Sequence, residues 1–363
     1  MTIYLVQICF IIILGLWINP WRSLQRKKIF LILSFLILVF ISGFRNSSVG
    51  TDTIHYINAF NNINVMNFLL SHFENGFLLY TKVIRNISDD PTLFLFISST
   101  ICIGSTCVFI YKFSEDPLLS ILLYIVLKPY FFQMTGMRQA LATAITVFAF
   151  QLILEKITRP RIFFSFVLMI IATQFHNMAF VAFIPYIMWL FPKVRYNTGI
   201  NAVTVFKWTI IISIIVFAFY MIVMRIVQSV ATKYNNYFNG TWSDSNYSAS
   251  FIKMLIQLAF LIVGVMYLKR EELVPIERFS FIMICISVVV CTLSMRMEIW
   301  GRLSGLFSIY TGILFAPNIC ARIKQINNRL LVKTSIFLFS FLYMLITFIL
   351  RPEWDGVVPY LFK

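Results

Sequence analysis

The sequence predicts an all-α, polytopic integral membrane protein with about twelve transmembrane helices, and three observations carry that reading. Of 363 residues, 60% are apolar and only 12% charged, about half the charge a soluble domain carries. Mean hydropathy is +0.86 and there are 39 Phe, more apolar surface than one soluble core hides. The apolar runs are continuous rather than alternating, which excludes a lipid-facing β-barrel and leaves helices of about 20 residues as the spanning element.

In chain order the runs fall at about 2–18, 28–44, 91–111, 117–134, 138–154, 161–175, 177–191, 206–225, 251–268, 278–295, 302–317 and 331–350. The first lacks a small-residue cleavage site and is read as a span, not a removable signal. The chain is read as a single domain over 1–363, with long loops at about 45–90 and 227–250. An apolar-periodic stretch from Ile54 to Leu70 suits a helix lying in the membrane interface.

Charge orients the spans. With twelve spans, one set of loops holds eighteen Lys and Arg with six acidic residues, net +12; the other holds twelve with eight, net +4. The positive-inside rule places the first set in the cytoplasm and both long loops, with both termini, outside. The overall +16 therefore reads as topology, not as a nucleic-acid surface. Cys9, Cys102, Cys107, Cys285, Cys291 and Cys320 lie in or beside apolar runs, without Cys-x-x-Cys or His spacing, and read as packing residues. No Gly-rich nucleotide loop and no internal repeat occurs.

Polar residues collect on the less basic side: Phe44-Arg45, Gly50-Thr51-Asp52-Thr53, Tyr56, Glu74-Asn75-Gly76-Phe77, Met137-Arg138-Gln139, His176-Asn177, Arg296, Glu298, Arg302 and Glu353. A lone Arg at a helix end is ordinarily a snorkelling charge. Four together (Arg45, Arg138, Arg296, Arg302) suit an anionic ligand, because guanidinium forks match phosphate oxygens in two-point contacts. Arg138 falls in the first turn of a helix, where the dipole disfavours a cation, so an anionic partner is expected. Gly50-Thr51-Asp52-Thr53 reads as a turn in which Asp52 or Thr53 caps the next helix, and Asn75-Gly76 as a second turn. His176 can pack or act as a base.

In order, Phe44-Arg45, Gly50-Thr51-Asp52-Thr53 with Tyr56, Glu74-x-Gly76-Phe77, Arg138-x-x-Leu141-Ala142, Phe175-His176-x-x-Ala179 and Arg302-Leu303 resemble the EpsG/Wzy family of polysaccharide (O-antigen) polymerases. The resemblance runs from about residue 40 to the C-terminus. Asn177-Met178 stands where that family often has a small hydroxyl residue near the histidine. It implies a bacterial inner-membrane enzyme that joins undecaprenyl-diphosphate-linked oligosaccharide units on the periplasmic face, with a fold like the multi-span lipid-linked (GT-C-like) glycosyltransferases. The implied partners are the lipid-linked oligosaccharide, membrane lipid and a chain-length regulator protein, with no nucleic acid and no cofactor. On this reading Arg138 and Arg302, supported by Arg45 and Arg296, hold the diphosphate. Thr51 and Tyr56 contact substrate. His176 leads Asp52 and Glu74 as the base, and no metal is assigned, although Asp52 and Glu74 are hard oxygen ligands. A flippase and an O-antigen ligase are the alternatives. A flippase needs no long polar outer loop at 45–90, and a ligase carries its largest outer loop late in the chain.

The charge asymmetry makes a direct prediction. In a cysteine-free background, single cysteines at Asn61 and Ser245 should react with an impermeant thiol reagent once the outer membrane is permeabilised, and one at Gln325 should not. Labelling at Gln325 but not Asn61 would invert the topology.

Overall fold

The computed structural model describes residues 1–66, 68, 71–196, 201–220, 222, 225, 247–268, 273–295 and 299–363. Their regular structure is helical, apart from one isolated antiparallel bridge between Arg45 and Phe362. In order these are α1 (Thr2–Ile18), α2 (Leu24–Gly43), α3 (Thr53–Asn62), α4 (Asn75–Ile87), α5 (Pro91–Phe113), α6 (Pro117–Val126), α7 (Pro129–Thr135), α8 (Met137–Glu155) and α9 (Arg159–Phe175). A 3₁₀ turn (Asn177–Ala182) leads to α10 (Phe183–Leu190), α11 (Pro192–Tyr196), α12 (Ala202–Ala218), α13 (Tyr247–Leu268), α14 (Pro275–Ser294) and α15 (Ile299–Tyr310). A π turn (Thr311–Phe315) then leads to α16 (Ala316–Arg322) and α17 (Ile326–Leu350). Residues 227–246 of the second long loop, and Arg296, lie outside the described residues.

Among the described residues, six helical stretches are long and apolar enough to cross a bilayer: α5, α8, Phe251–Leu268 of α13, α14, Trp300–Arg322 and α17. The α6–α7 pair makes a seventh if its bent halves count as one span, and α1, α12 and Asn177–Leu190 are shorter apolar helices. This is the build of a multi-pass membrane protein.

The run 117–134, expected as one span, is two helices bent by 45°. Pro129 disfavours helical geometry at the residue before it, and Lys128 there takes φ 81°. Farther on, 161–191 breaks at His176, whose backbone is extended. Among the described residues of the stretch Ile54–Leu70, expected as an interfacial helix, the helix is α3, which ends at Asn62. The second helix in this loop, α4, buries Phe77, Leu78, Thr81 and Ile84, one stripe at helical spacing. Asn75-Gly76, expected as a turn, is its first turn. A Cβ on Gly76 would lie 2.6 Å from Gln174 Cβ, so the glycine lets α4 press against the end of α9.

The chain forms two compact units, Met1–Phe183 with Lys324–Lys363, and Ile184–Ile323. In the second, Glu277 of α14 is buried and takes a guanidinium fork from Arg322 at 2.6 and 3.0 Å, and Thr311 in the π turn donates to Gln257 at 2.6 Å.

The first unit has two chemically different ends. At one, Lys27 donates to the Ser114 carbonyl at 2.6 Å, Lys333 pairs with Asp116 at 2.5 Å, and Glu155 pairs with both Lys112 and Arg161. At the other, the end of α2, the start of α5, the α7–α8 junction, the end of α9 and the tail after α17 come together. Eleven of this unit's Lys and Arg fall on the segments at the first end with three acidic residues, net +8; seven with six, net +1, fall on those at the second.

The second end is tied by backbone bonds to the C-terminal tail. Asn46 N–H donates to Leu361 at 2.9 Å, Gly50 N–H to Gly356 at 2.7 Å, and Lys363 N–H to Phe44 at 3.1 Å. Below it, Tyr56, Phe60, Phe77, Phe94, Met137 and Leu141 form one core joining α3, α4, α5 and α8.

Gly50 has φ +94° and its absent Cβ would lie 2.2 Å from the Met134 carbonyl oxygen, whereas a Cβ on Gly104 would meet only Phe35 at 3.5 Å. Gly50→Ala should therefore cost at least the roughly 1–3 kcal/mol of a strained backbone, and Gly104→Ala very little. Melting of the detergent-solubilised variants checks this; equal stability would refute it.

Candidate functional site

The candidate site is the second end of the first unit, where three segments distant in sequence meet at Glu74. Glu74 stands just before α4 with its carboxylate almost wholly buried. It accepts from Arg138 Nη1 at 2.5 Å and from the Asn177 backbone N–H at 3.3 Å. Arg138 is in the first turn of α8, and Glu74 is the anionic partner its position demanded. The guanidinium lies 4.7 Å from the Phe73 ring centre and close to the Tyr56 hydroxyl. Small residues allow this convergence. Ala142, Ala172 and Ala179 form one buried cluster, so α8, α9 and the 3₁₀ turn approach closely and carry Arg138, His176 and Asn177 to one place.

The Gly50-Thr51-Asp52-Thr53 segment divides its labour. Gly50 and Thr53 face inward: the Thr53 hydroxyl is within hydrogen-bonding distance of the Val49 carbonyl at 2.7 Å and the Met134 carbonyl at 2.8 Å. Thr51 is exposed and Asp52 half-buried. Asp52 occupies the N-cap position of α3 but makes no cap hydrogen bond, contrary to the expected capping role. Its carboxylate has no ion pair among the described residues, and Asp52 lies one helical turn before Tyr56, whose N–H donates to the Asp52 carbonyl at 3.2 Å. Burial pushes the Tyr56 hydroxyl up, Arg138 opposes that rise and Asp52 adds to it.

His176 ends α9, and its Nδ1 accepts from the Met178 backbone N–H at 3.2 Å. That bond puts the ring proton on Nε2, so the imidazole offers a donor rather than a lone pair. Arg45 points away from solvent. It is 2% exposed, Nη1 donates to the Ser42 carbonyl at 2.5 Å, and Nε and Nη2 have no hydrogen-bond partner. Burial pushes its pKa down to about 10, so it remains a cation at neutral pH. Arg302 is exposed on α15 in the other unit. The structure thus groups Tyr56, Glu74, Arg138 and His176, with Asp52 beside Tyr56.

A guanidinium held by a carboxylate and an aromatic face, next to a carboxylate with no such tie, combines the chemistry that meets an anion with the chemistry that takes a proton. The EpsG family pattern matches residues 28–362. The chain belongs to the EpsG family. No curated protein and no solved structure matches it. EpsG membership points to polysaccharide polymerisation by glycosyl transfer.

Sequence reasoning passed over two residues of this EpsG chain, Lys128 and Asp355, which pair at 2.6 Å. Lys128 interrupting an apolar run just before Pro129 was the readable signal.

The Glu74–Arg138 pair separates stability from activity. Removing one partner of a buried pair costs roughly 3–5 kcal/mol, whereas neutralising both costs far less. Arg138→Met should lower the melting temperature sharply, and Glu74→Gln with Arg138→Met should recover most of it while polymer synthesis stays lost. Polymer made by the double variant would show that the pair is structural only.

Proposed function

We propose that this EpsG-family protein is a polysaccharide polymerase that joins oligosaccharide units carried on undecaprenyl diphosphate, at the outer face of the bacterial inner membrane. The single observation that carries the reading is the cluster of Arg138, Glu74 and Tyr56 beside an untied Asp52. All twelve apolar runs, taken as spans of one membrane domain, put that cluster outside. The net charges of +1 and +8 at the two ends of the first unit support this orientation.

In the proposed reaction, a sugar hydroxyl of one lipid-linked unit attacks the anomeric carbon of the growing chain. The new C–O bond forms as the bond to the lipid diphosphate breaks, and the bonding pair leaves with the diphosphate. Arg138 stabilises the departing charge. Arg45 is set apart from this role by its burial. Thr51, exposed beside Asp52, is placed to contact sugar. The activated donor brings its own leaving group, so no nucleotide is needed.

Asp52 is the base we assign. The Glu74 oxygens are taken up by Arg138 and the Asn177 amide, and the His176 lone pair is engaged by Met178. Asp52 alone of the three has a carboxylate without a hydrogen-bonded tie. This reverses the order read from sequence, where His176 came first.

Loss of a general base typically costs about 10² to 10⁴ in rate. A strain lacking the protein and carrying Asp52→Asn should therefore accumulate lipid A core with a single repeat unit, and His176→Gln should polymerise at more than a tenth of the normal rate. Bare core in the deletion strain would favour a flippase or ligase. A dead His176→Gln with an active Asp52→Asn would restore the histidine as base.

A further inference from the structure

Outside the assigned residues, one ion pair sits where the chain is most constrained. Lys128 takes φ 81° at the break between α6 and α7, a backbone region that a side chain with a Cβ rarely enters and that marks stored strain. Its ammonium meets the Asp355 carboxylate at 2.6 Å, with both side chains largely buried, and lies 6.0 Å from the Trp354 ring centre. The Asp355 backbone then reaches two further ways. Its carbonyl accepts from the Thr135 hydroxyl at 2.6 Å and from the Thr51 N–H at 3.3 Å. The next residue, Gly356, accepts from Gly50 N–H at 2.7 Å. A Cβ on Gly356 would lie 2.9 Å from the Thr51 methyl, so the tail lies flat on the segment that presents Asp52. After that, Tyr4 donates to Val357 and Tyr360 to the Ile41 carbonyl.

We propose that the C-terminal tail is a strap pinned by Lys128 and Asp355, and that these two are positioning residues that set the Thr51–Asp52 turn for proton transfer. The proposal rests on Asp52 being the base. The chain of contacts has no slack: from the strained Lys128 through Asp355 to the Thr51 amide is one ion pair and one hydrogen bond, and Asp52 is the next residue. The Asp52 side chain makes no cap bond of its own, so its place is set by the backbone on either side. Thr53, on the downstream side, is anchored to Met134. On the upstream side the anchor is the strap. Releasing the pin frees the upstream half, and a base that wanders by an ångström loses rate without losing its substrate.

The test uses the full-length protein in membranes from complemented cells, with single repeat units carried on undecaprenyl diphosphate as substrate. Asp355→Asn and Lys128→Gln should each lower kcat about tenfold or more with KM within about twofold. The exchange of the pair, Lys128→Asp with Asp355→Lys, should restore at least half of kcat. Aspartate tolerates the left-handed backbone at 128 better than most residues, so the exchange controls for a folding defect. Melting of each variant in detergent completes that control. Normal kcat in Asp355→Asn would overturn the strap and leave the base assignment standing. A loss that follows melting temperature and is not recovered by the exchange would also overturn it, as a purely structural pair. Asp52→Asn at full rate would overturn both readings.

Discussion

Helix ends carry backbone groups without intrahelical partners, and near a bilayer an unmet group is expensive. At one end of the first unit this constraint organises everything else. The last carbonyls of α2 are met in turn by Tyr130 at Leu38, Tyr360 at Ile41, Arg45 at Ser42 and the Lys363 amide at Phe44. The Met134 carbonyl of α7 is met by Thr53. Three of these five donor groups, those of Tyr360, Lys363 and Thr53, belong to the tail or to the turn before α3. The two segments are therefore structural caps first, and capping is what holds the turn still.

Arg45 shows what the constraint does to a residue that looks functional. An arginine following an apolar run, on the less basic side, has the sequence signature of an anion ligand. Its neighbour in space is instead the carbonyl end of its own helix, where a cation is favourable, and the tail covers it. Nothing in the local sequence near residue 45 says that residues 360–363 return to close over it. That information is non-local, and a linear reading cannot hold it.

What the linear reading does hold is whatever depends on period and on helix polarity. The apolar runs coincide with helices because burial follows hydropathy. Arg138 demanded an anion because a first-turn cation opposes the dipole, and Glu74 answers 64 positions earlier. Both failures at 71–90 have local causes. The stripe of Phe77, Leu78, Thr81 and Ile84 is short and interrupted by Lys82 and Arg85, so α4 reads as loop. Asn75-Gly76 has the composition of a turn, yet Gly76 is there because α9 leaves no room for a side chain. A glycine chosen for contact and a glycine chosen for φ look identical in sequence.

The same distinction separates the two carboxylates of the proposed site. Glu74 and Asp52 belong to the same end of the molecule and the same family pattern, and sequence cannot rank them. Their surroundings can. Glu74 is buried, paired with Arg138 and bonded to the Asn177 amide, so its oxygens are occupied in orienting the guanidinium. Asp52 is half-solvated and lacks such donors, so its lone pairs stay available. On the proposed reading the two carboxylates take complementary roles: one holds the cation that meets the leaving charge, the other receives the proton. The division needs both to be fixed in place. For Glu74 the ion pair itself does this, whereas Asp52, having no partner of its own, depends on the backbone bonds that flank it.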